Sequence, residues 1–346
     1  MKILVIRYRF IGDMILTAPF LRNLRYAYPN AQIDMLVSPN SGEVIAGCPY
    51  VNNFIYFDTS KKHKYEQGAV SEKKSFFQHA VLLRRQKYDK AYVLKRSFSS
   101  ALLAFSAGIK ERIGFDTEFR GWLLTKKIPY DAKKHESLCF LDVLKADGIA
   151  VKDTYIENWV REDDIKKVRS LLQSKGIQPD EKFAAVNAAA SNPYKMWDIN
   201  NFAGVIEYLS NEKGIRTVFI GSRLDYPLYE KMQFKNTLKK QYINLCGELS
   251  IQESLALLKQ AALFIGNDSG SAHMASSVNT PVICLYGPMP AEKWRVLGKG
   301  NILIEADTPC APCSLKKNIC RHDKACMKSI SIEQVKQAAA KLLDGA

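Results

Sequence analysis

The feature that most constrains this chain is a rhythm that runs through it twice: short β-branched runs alternate with longer stretches of helical spacing. Residues 2–8, KILVIRY, read as a buried strand by length and composition. DMILTAPFLRNLRYAYP (13–29) follows with apolar residues at helical spacing and stops at Pro29. The spacing predicts strands over 32–38 and 53–57, a basic amphipathic helix over 72–87, a strand over 89–95 and a helix over 99–108 closed by Gly108. Strand–helix–strand order implies a parallel sheet covered on both faces. The pattern restarts after a charged helix at 161–177. It predicts strands over 182–188, 215–222, 242–247, 262–268 and 281–287, with helices near 200–213, 225–240, 250–260 and 270–279. SIEQVKQAAAKLL (331–343) is a further helix, with Ser331 as its N-cap and Glu333 in its first turn.

The chain is 346 residues long and 47% hydrophobic, enough for two cores. An α/β fold of two tandem Rossmann-like units is therefore expected, divided into residues 1–160 and 161–330. Two such units that oppose one another form a cleft, and ligands of open α/β sheets bind beyond the carboxyl ends of strands. The formal charge of +15 calls for an anionic partner: nucleic acid, a phospholipid surface, a phosphorylated glycan or a nucleotide. No apolar run reaches about 20 residues, so no membrane span is expected. MKILVIRYRFIGDM is basic and apolar like a signal peptide, but its apolar run is short and no small-residue cleavage site follows, which points to a cytoplasmic protein.

The residues with chemistry follow predicted strands. After the first comes RYRFIGDM, in which Gly12 permits a turn and Asp13 opens a helix, either as a general base in a cleft or as an Asp favoured by the helix dipole. NAAASNPYKMW puts Ser191 and Lys195 where a hydroxyl and an ammonium can hold a diphosphate, or where a lysine is simply solvated. Asp225 follows the next strand and can take ribose hydroxyls or cap a helix. FIGNDSGSAHM reads as strand, turn and helix start. The amides of Ser269, Gly270 and Ser271 at a helix N-terminus favour phosphate, and Gly270 allows close approach. Asp268 suits sugar hydroxyls better than phosphate, and His273 can donate to phosphate or pack in the first turn; Asp268 or Ser269 as a mere helix cap stays open. The chain has no Gly-x-Gly-x-x-Gly after its first strand, no Walker loop and no Asp-x-Asp. That favours cationic side chains and helix dipoles over a catalytic metal for neutralising a leaving group.

KILVIRYRFIGDM, YDKAYVLKRSFSSALLAFSAGIKERIGF, KMW before a helix, FIGNDSGSAHMASSVNTPVICLYGP and a Cys-rich tail together resemble the ADP-heptose:lipopolysaccharide heptosyltransferases, glycosyltransferase family 9. The resemblance covers essentially the whole chain, and the stretch 88–115 favours the type II branch over type I. It implies a GT-B fold, two Rossmann-like domains facing a central cleft, with the C-terminal helix (331–346) packed back on the N-terminal domain. It implies inverting transfer of L-glycero-D-manno-heptose from ADP-heptose to the inner core of lipopolysaccharide, onto the first heptose, without a required cofactor. Position by position, Asp13 matches the catalytic base, Ser191 and Lys195 match phosphate contacts, Asp268 touches the donor sugar, and Ser269 and Gly270 offer amides to the diphosphate. Asp225, with Glu230 as competitor, matches the ribose contact, and Leu249 falls where a backbone contact to adenine is expected. Ala188–Ala190 and the YRF before Gly12 depart from relatives, which bears on the acceptor.

On that resemblance the acceptor is a Kdo- and heptose-bearing lipid A at the inner face of the inner membrane, where the protein is expected to sit peripherally. Arg7, Arg9, Lys95, Arg96, Arg112 and Arg120 lie near strand ends of the first half, and Arg7, Arg9, Arg96 and Arg120 are the candidate acceptor contacts. Cys310, Cys313, Cys320 and Cys326 stand at C-x2-C-x6-C-x5-C, spacing that suits a structural zinc or iron–sulfur site or four free thiols. Two alternatives remain: another enzyme of this fold, such as type I transfer, a different core glycosyltransferase or a nucleotide-sugar epimerase, and a nucleic-acid binder. The last lacks any recognition helix and any interleaving of aromatic with basic residues.

Overall fold

β1 (Lys2–Ile6) is buried along nearly its whole length and lies in the middle of a sheet, as its unbroken apolar run requires. The structure, a computed structural model, describes residues 1–57, 75–315 and 319–345. It divides into two units, Met1–Asn158 and Trp159–Ala346.

In the first unit β1 is followed by α1 (Ile11–Ile15), α2 (Ala18–Ala27), β2 (Gln32–Val37), α3 (Pro39–Val44), β3 (Asn53–Tyr56), α4 (Phe76–Gln86), β4 (Lys90–Val93), α5 (Phe98–Ser106), β5 (Glu111–Phe115), β6 (Lys126–Ile128) and α6 (Glu136–Ala146). The second unit runs α7 (Glu162–Ser174), β7 (Phe183–Asn187), α8 (Ile199–Asn211), β8 (Arg216–Phe219), α9 (Tyr226–Tyr229), β9 (Ile243–Asn244), α10 (Ile251–Gln260), β10 (Leu263–Asn267), α11 (Gly270–Ser277), β11 (Val282–Tyr286), α12 (Ala291–Trp294), β12 (Ile302–Glu305), α13 (Ala325–Ser329) and α14 (Ile332–Asp344).

The first sheet has strand order β3-β2-β1-β4-β5-β6 and the second β12-β11-β10-β7-β8-β9, with parallel pairing throughout. Counted from its own first strand, the second sheet repeats the order of the first. Both are doubly wound Rossmann-type sheets. Each has one place where the winding reverses: between β1 and β4, and between β7 and β10. Such switch points are where α/β sheets bind ligands.

Four differences from the sequence-based expectations have visible causes. The helix expected over 13–29 is two helices, because Pro19 falls in the first turn of α2 and cannot continue α1. The helix expected over 225–240 stops at Tyr229. Side chains of α8 and its C-terminal end take the amides that would extend it: Asn200 Oδ1 accepts from Gln233 N (3.0 Å), Glu207 Oε1 from Asn236 N (2.8 Å) and Asn211 Oδ1 from Lys239 N (2.8 Å). The basic helix over 72–87 starts at Phe76, capped by Ser75 Oγ, while 72–74 lie outside the described residues. The C-terminal helix, expected on the N-terminal domain, packs within the second unit. There α14 lies on α8 and β10–β12, with Val335 and Ala339 fully buried in that unit's core. Its N-cap is Ser331, whose Oγ accepts from Gln334 N (3.2 Å). No helix among the described residues is long and apolar enough to cross a membrane.

Candidate active site

The side chains singled out in the first unit gather at its switch point, because β1 and β4 are adjacent and both end there. Arg7 and Arg9 follow β1, Asp13 sits in the first turn of α1, and Lys95 and Arg96 follow β4. Arg9 (φ 73°) and Phe10 (φ 61°) occupy the left-handed region in succession, a strained turn of the kind that clusters at functional sites. Asp13 is 9% exposed and its Oδ2 is ion-paired with Arg7 Nη2. Burial pushes its proton affinity up, the Arg7 charge pulls it down, and the nearby carboxylate of Glu136 pushes it up again; the net direction is upward. Arg7 also lies over the ring of Phe140 in α6, 5.5 Å from its centroid. Arg7 Nε and Arg9 Nε are buried without a hydrogen-bond partner. Lys95 is pushed down to about 8 by burial and then by Arg7, against the pull of Asp13, with Arg9 and Arg96 lowering it further. Its ammonium rests 5.6 Å from the Phe10 ring centroid. Cations thus crowd around the Asp13 carboxylate, with Glu136 close by and two buried guanidinium donors unused.

Arg96 lies over the Tyr130 ring (4.0 Å), and Tyr130 OH donates to Glu136 Oε2 at 2.6 Å. Glu136 was not singled out from the sequence. It starts α6, far along the chain from Asp13, and no local motif marks it. Arg120 is the clear correction among the proposed acceptor contacts. It is 0% exposed, and its guanidinium donates to the carbonyls of Phe115 (2.8 Å), Lys95 and Ser97 (3.1 Å) and to Ser100 Oγ (3.0 Å). It braces the loop that carries Lys95 and Arg96, and with no exposed surface it is out of reach of an acceptor. Arg112 likewise donates to the carbonyls of Leu123 (2.6 Å) and Ile109.

The second unit gathers its candidates at the ends of β7, β8, β9 and β10. Lys195, in a 3-10 turn after β7, reaches Asp268 Oδ2 at 2.6 Å, so two residues far apart in the chain form a largely buried ion pair. Asn267, 0% exposed, makes this possible. Its Oδ1 accepts from Trp197 N (3.0 Å) and its Nδ2 donates to the Ala188 carbonyl (2.7 Å), which ties both ends of the 188–197 loop to β10. Nothing in the local pattern separates Asn267 from its neighbours. α11 begins at Gly270 after Ser269, whose hydroxyl is engaged with Ser271 Oγ (2.8 Å) and makes no side-chain cap. The amides of the first turn thus remain available to an anion. His273 is buried in that turn, and Ser191 is exposed on the loop.

Asp225 does serve as a cap. Its Oδ2 accepts from Ser222 N and Ser222 Oγ, both at 2.8 Å. Its loop lies against the one carrying Leu249, because Gly247 (φ 80°) has no side chain: a Cβ there would sit 2.8 Å from Arg223 Cα. Glu230 is exposed at the end of α9.

Among the described residues no group of three or more His, Cys, Asp or Glu is arranged to hold a metal ion, so the structural zinc or iron–sulfur alternative at Cys310, Cys313, Cys320 and Cys326 is not supported. None of the four is in a disulfide. Cys320 Sγ accepts from Lys324 N (3.3 Å), Cys310 Sγ contacts Thr308 Oγ1 (3.6 Å), and Cys326 is buried, its thiol pushed up by burial and by the three others nearby.

Residues 76–324 match the family model described as "Glycosyltransferase family 9 (heptosyltransferase)". The lipooligosaccharide heptosyltransferase 2 of Haemophilus influenzae is 30% identical over 300 residues, covering 83% of this chain and 84% of that protein. The solved glycosyl transferase family 9 structure from Veillonella parvula superposes with a TM-score of 0.84 at 24% identity, covering 100% of this chain and 98% of that one. E. coli ADP-heptose lps heptosyltransferase II gives 0.78 at 22% identity, covering 100% and 99%. The fold is thus the GT-B fold of these enzymes. Together with the family model, which spans well over half of the chain, these likenesses place the protein: it is a glycosyltransferase and belongs to glycosyltransferase family 9, the heptosyltransferases.

Proposed function

We propose that the protein moves L-glycero-D-manno-heptose from ADP-heptose to the inner core of lipopolysaccharide, onto a heptose already present, with inversion at the anomeric carbon. The observation that carries this reading is the cluster at the end of β1 and β4: a buried carboxylate of raised proton affinity, Asp13, inside a ring of cations with unused donors. Family membership and the heptosyltransferase 2 relatives supply the donor and acceptor classes.

In the reaction, Asp13 takes the proton from the acceptor hydroxyl as that oxygen attacks the anomeric carbon. The bond from that carbon to the diphosphate oxygen breaks, and ADP leaves with the electron pair. Lys195 and the amides of Ser269, Gly270 and Ser271 meet the charge that develops on the diphosphate. Asp268 holds the Lys195 ammonium in place and offers its carboxylate to sugar hydroxyls, with Ser191 and His273 as further donors. Asp225 and the backbone at Leu249 take the ribose and adenine, supported by the contact of their two loops. Arg7, Arg9, Lys95 and Arg96 bind the carboxylates and phosphates of the acceptor. Because that acceptor is a lipid, the enzyme works peripherally at the inner face of the inner membrane.

The test is transfer from ADP-heptose to core oligosaccharides of defined length, with products read by mass. Addition of one heptose to an acceptor that ends in heptose, with matching ADP release, is the expected result. Transfer only to a Kdo-terminated acceptor would make the enzyme type I, and ADP-heptose isomerisation without transfer would make it an epimerase.

A further inference from the structure

The loop between β5 and the 3-10 turn Gly121–Leu123 presents aromatic rings to solvent in a manner the transfer reaction does not use. Phe119 is 95% exposed and Trp122 is 67% exposed. Burying large rings is among the strongest driving forces in folding, so leaving two outward on one short segment goes against the usual pattern. The segment is also strained and braced. Glu118 (φ 51°) and Phe119 (φ 55°) are consecutive non-glycine residues in the left-handed region. Thr117 Oγ1 donates to the Arg96 carbonyl (2.9 Å), Glu118 Oε2 accepts from Phe98 N (2.8 Å), and the buried Arg120 anchors the far side. A floppy loop would need none of this.

Neighbouring elements expose further apolar groups. Trp122 packs edge-on against Phe105 of α5 (6.1 Å between centroids) and contacts Phe98 (6.3 Å). α5 packs on α4. The outer stripe of α4 carries exposed Phe77 and Val81 at i, i+4, and runs on to exposed Arg84 and Arg85. Neither arginine pairs with a carboxylate among the described residues, and neither does exposed Lys110. Acidic groups of the same region are already engaged: Glu118 with the Phe98 amide, Asp116 with Lys127 (3.2 Å) and Glu111 with Lys90 (3.2 Å). What faces solvent is therefore aromatic and net cationic. That combination fits the headgroup level of an anionic bilayer, where rings sit at the boundary and each nearby cation adds attraction.

We propose that the face formed by α4, α5 and the Glu118–Trp122 segment docks this protein on an anionic phospholipid surface. The proposal rests on the reading of a membrane-borne acceptor and deepens it by naming the surface. It also explains the fully buried Arg120. One guanidinium braces the aromatic loop from within and holds the Lys95–Ser100 turn that carries the acceptor-facing cations, so docking surface and acceptor pocket share one rigid support within the first unit.

The test is co-sedimentation of the full chain with vesicles of mixed phosphatidylglycerol and phosphatidylcholine. Wild type is expected to bind these and to release in high salt. Phe119→Ser with Trp122→Ser is expected to lose roughly tenfold in affinity, and Arg84→Gln with Arg85→Gln roughly 30-fold, from about 1 kcal/mol per cation. Both variants should keep wild-type ADP affinity, thermal unfolding and transfer to a soluble, delipidated core oligosaccharide. Trp122 also reports directly: its emission should shift blue on vesicles, and Trp122→Phe should abolish that shift while retaining most binding. Equal vesicle affinity of wild type and both variants, or no preference for the anionic lipid, overturns the proposal. Absence of transfer to the soluble oligosaccharide by wild type would overturn the heptosyl reading instead, with the vesicle result unaffected.

Discussion

Asp13 owes its chemistry to three neighbours from separate elements: Arg7 after β1, Glu136 at the start of α6, and Lys95 after β4. Burial and the Glu136 charge make it hold its proton more tightly than a free carboxylic acid. A base must be deprotonated, so kcat/KM should fall on the acid side at a pH above the ordinary carboxylate range. Glu136→Gln removes one of the two upward influences, and the acid limb of the profile should then move to lower pH; a limb that stays in place or rises would contradict the coupling of Glu136 to Asp13 or the role proposed for Asp13. Lys95 has the opposite sense. Its pKa is lowered to about 8, so its charge is present below that value and lost as the pH rises through it. If it holds an anionic acceptor, acceptor KM should rise between about pH 7 and 9. Lys95→Arg should flatten that rise, and a pH-independent wild-type KM would remove Lys95 from acceptor binding.

One amide side chain, that of Asn267, ties the loop after β7 to β10. Asn267→Ala would leave the Trp197 amide and the Ala188 carbonyl buried without partners, a destabilisation of about 2–4 kcal/mol, measurable by denaturant unfolding. It should also weaken ADP binding, because the Lys195 turn loses its tether; a variant of unchanged stability would contradict the role given to Asn267. The switch-point positions of Asp13, Lys195 and Asp268 were legible in the sequence, because the period of the apolar runs fixes strand ends and polar residues cluster just beyond them. Asn267 and Glu136 were not, since each acts through partners far along the chain. The bracing role of Arg120 was hidden for a related reason: an arginine after a strand looks the same whether it points out or in, and only the carbonyls converging on it decide. The short α9 was missed because side chains of α8, not local propensity, end it. Placing α14 on α8 and β10–β12 depends on how Val335 and Ala339 meet the second core, which periodicity does not specify.

The two units repeat one plan, a six-stranded parallel sheet whose reversal point carries polar residues, and the repetition allows a division of labour. In the first unit the reversal point offers a buried carboxylate among cations; in the second, an ion-paired lysine and open amides at the start of α11. Proton removal and leaving-group stabilisation then have separate residues and separate signatures in kinetics. Lys195→Ala should lower transfer ~100–1000-fold and weaken ADP binding together. The central claim is that Asp13 is the base, and the most direct measurement is the transfer rate of Asp13→Asn set beside its ADP affinity. The account predicts ADP binding close to wild type and transfer lowered ~100–10,000-fold; transfer near the wild-type rate by Asp13→Asn would contradict it.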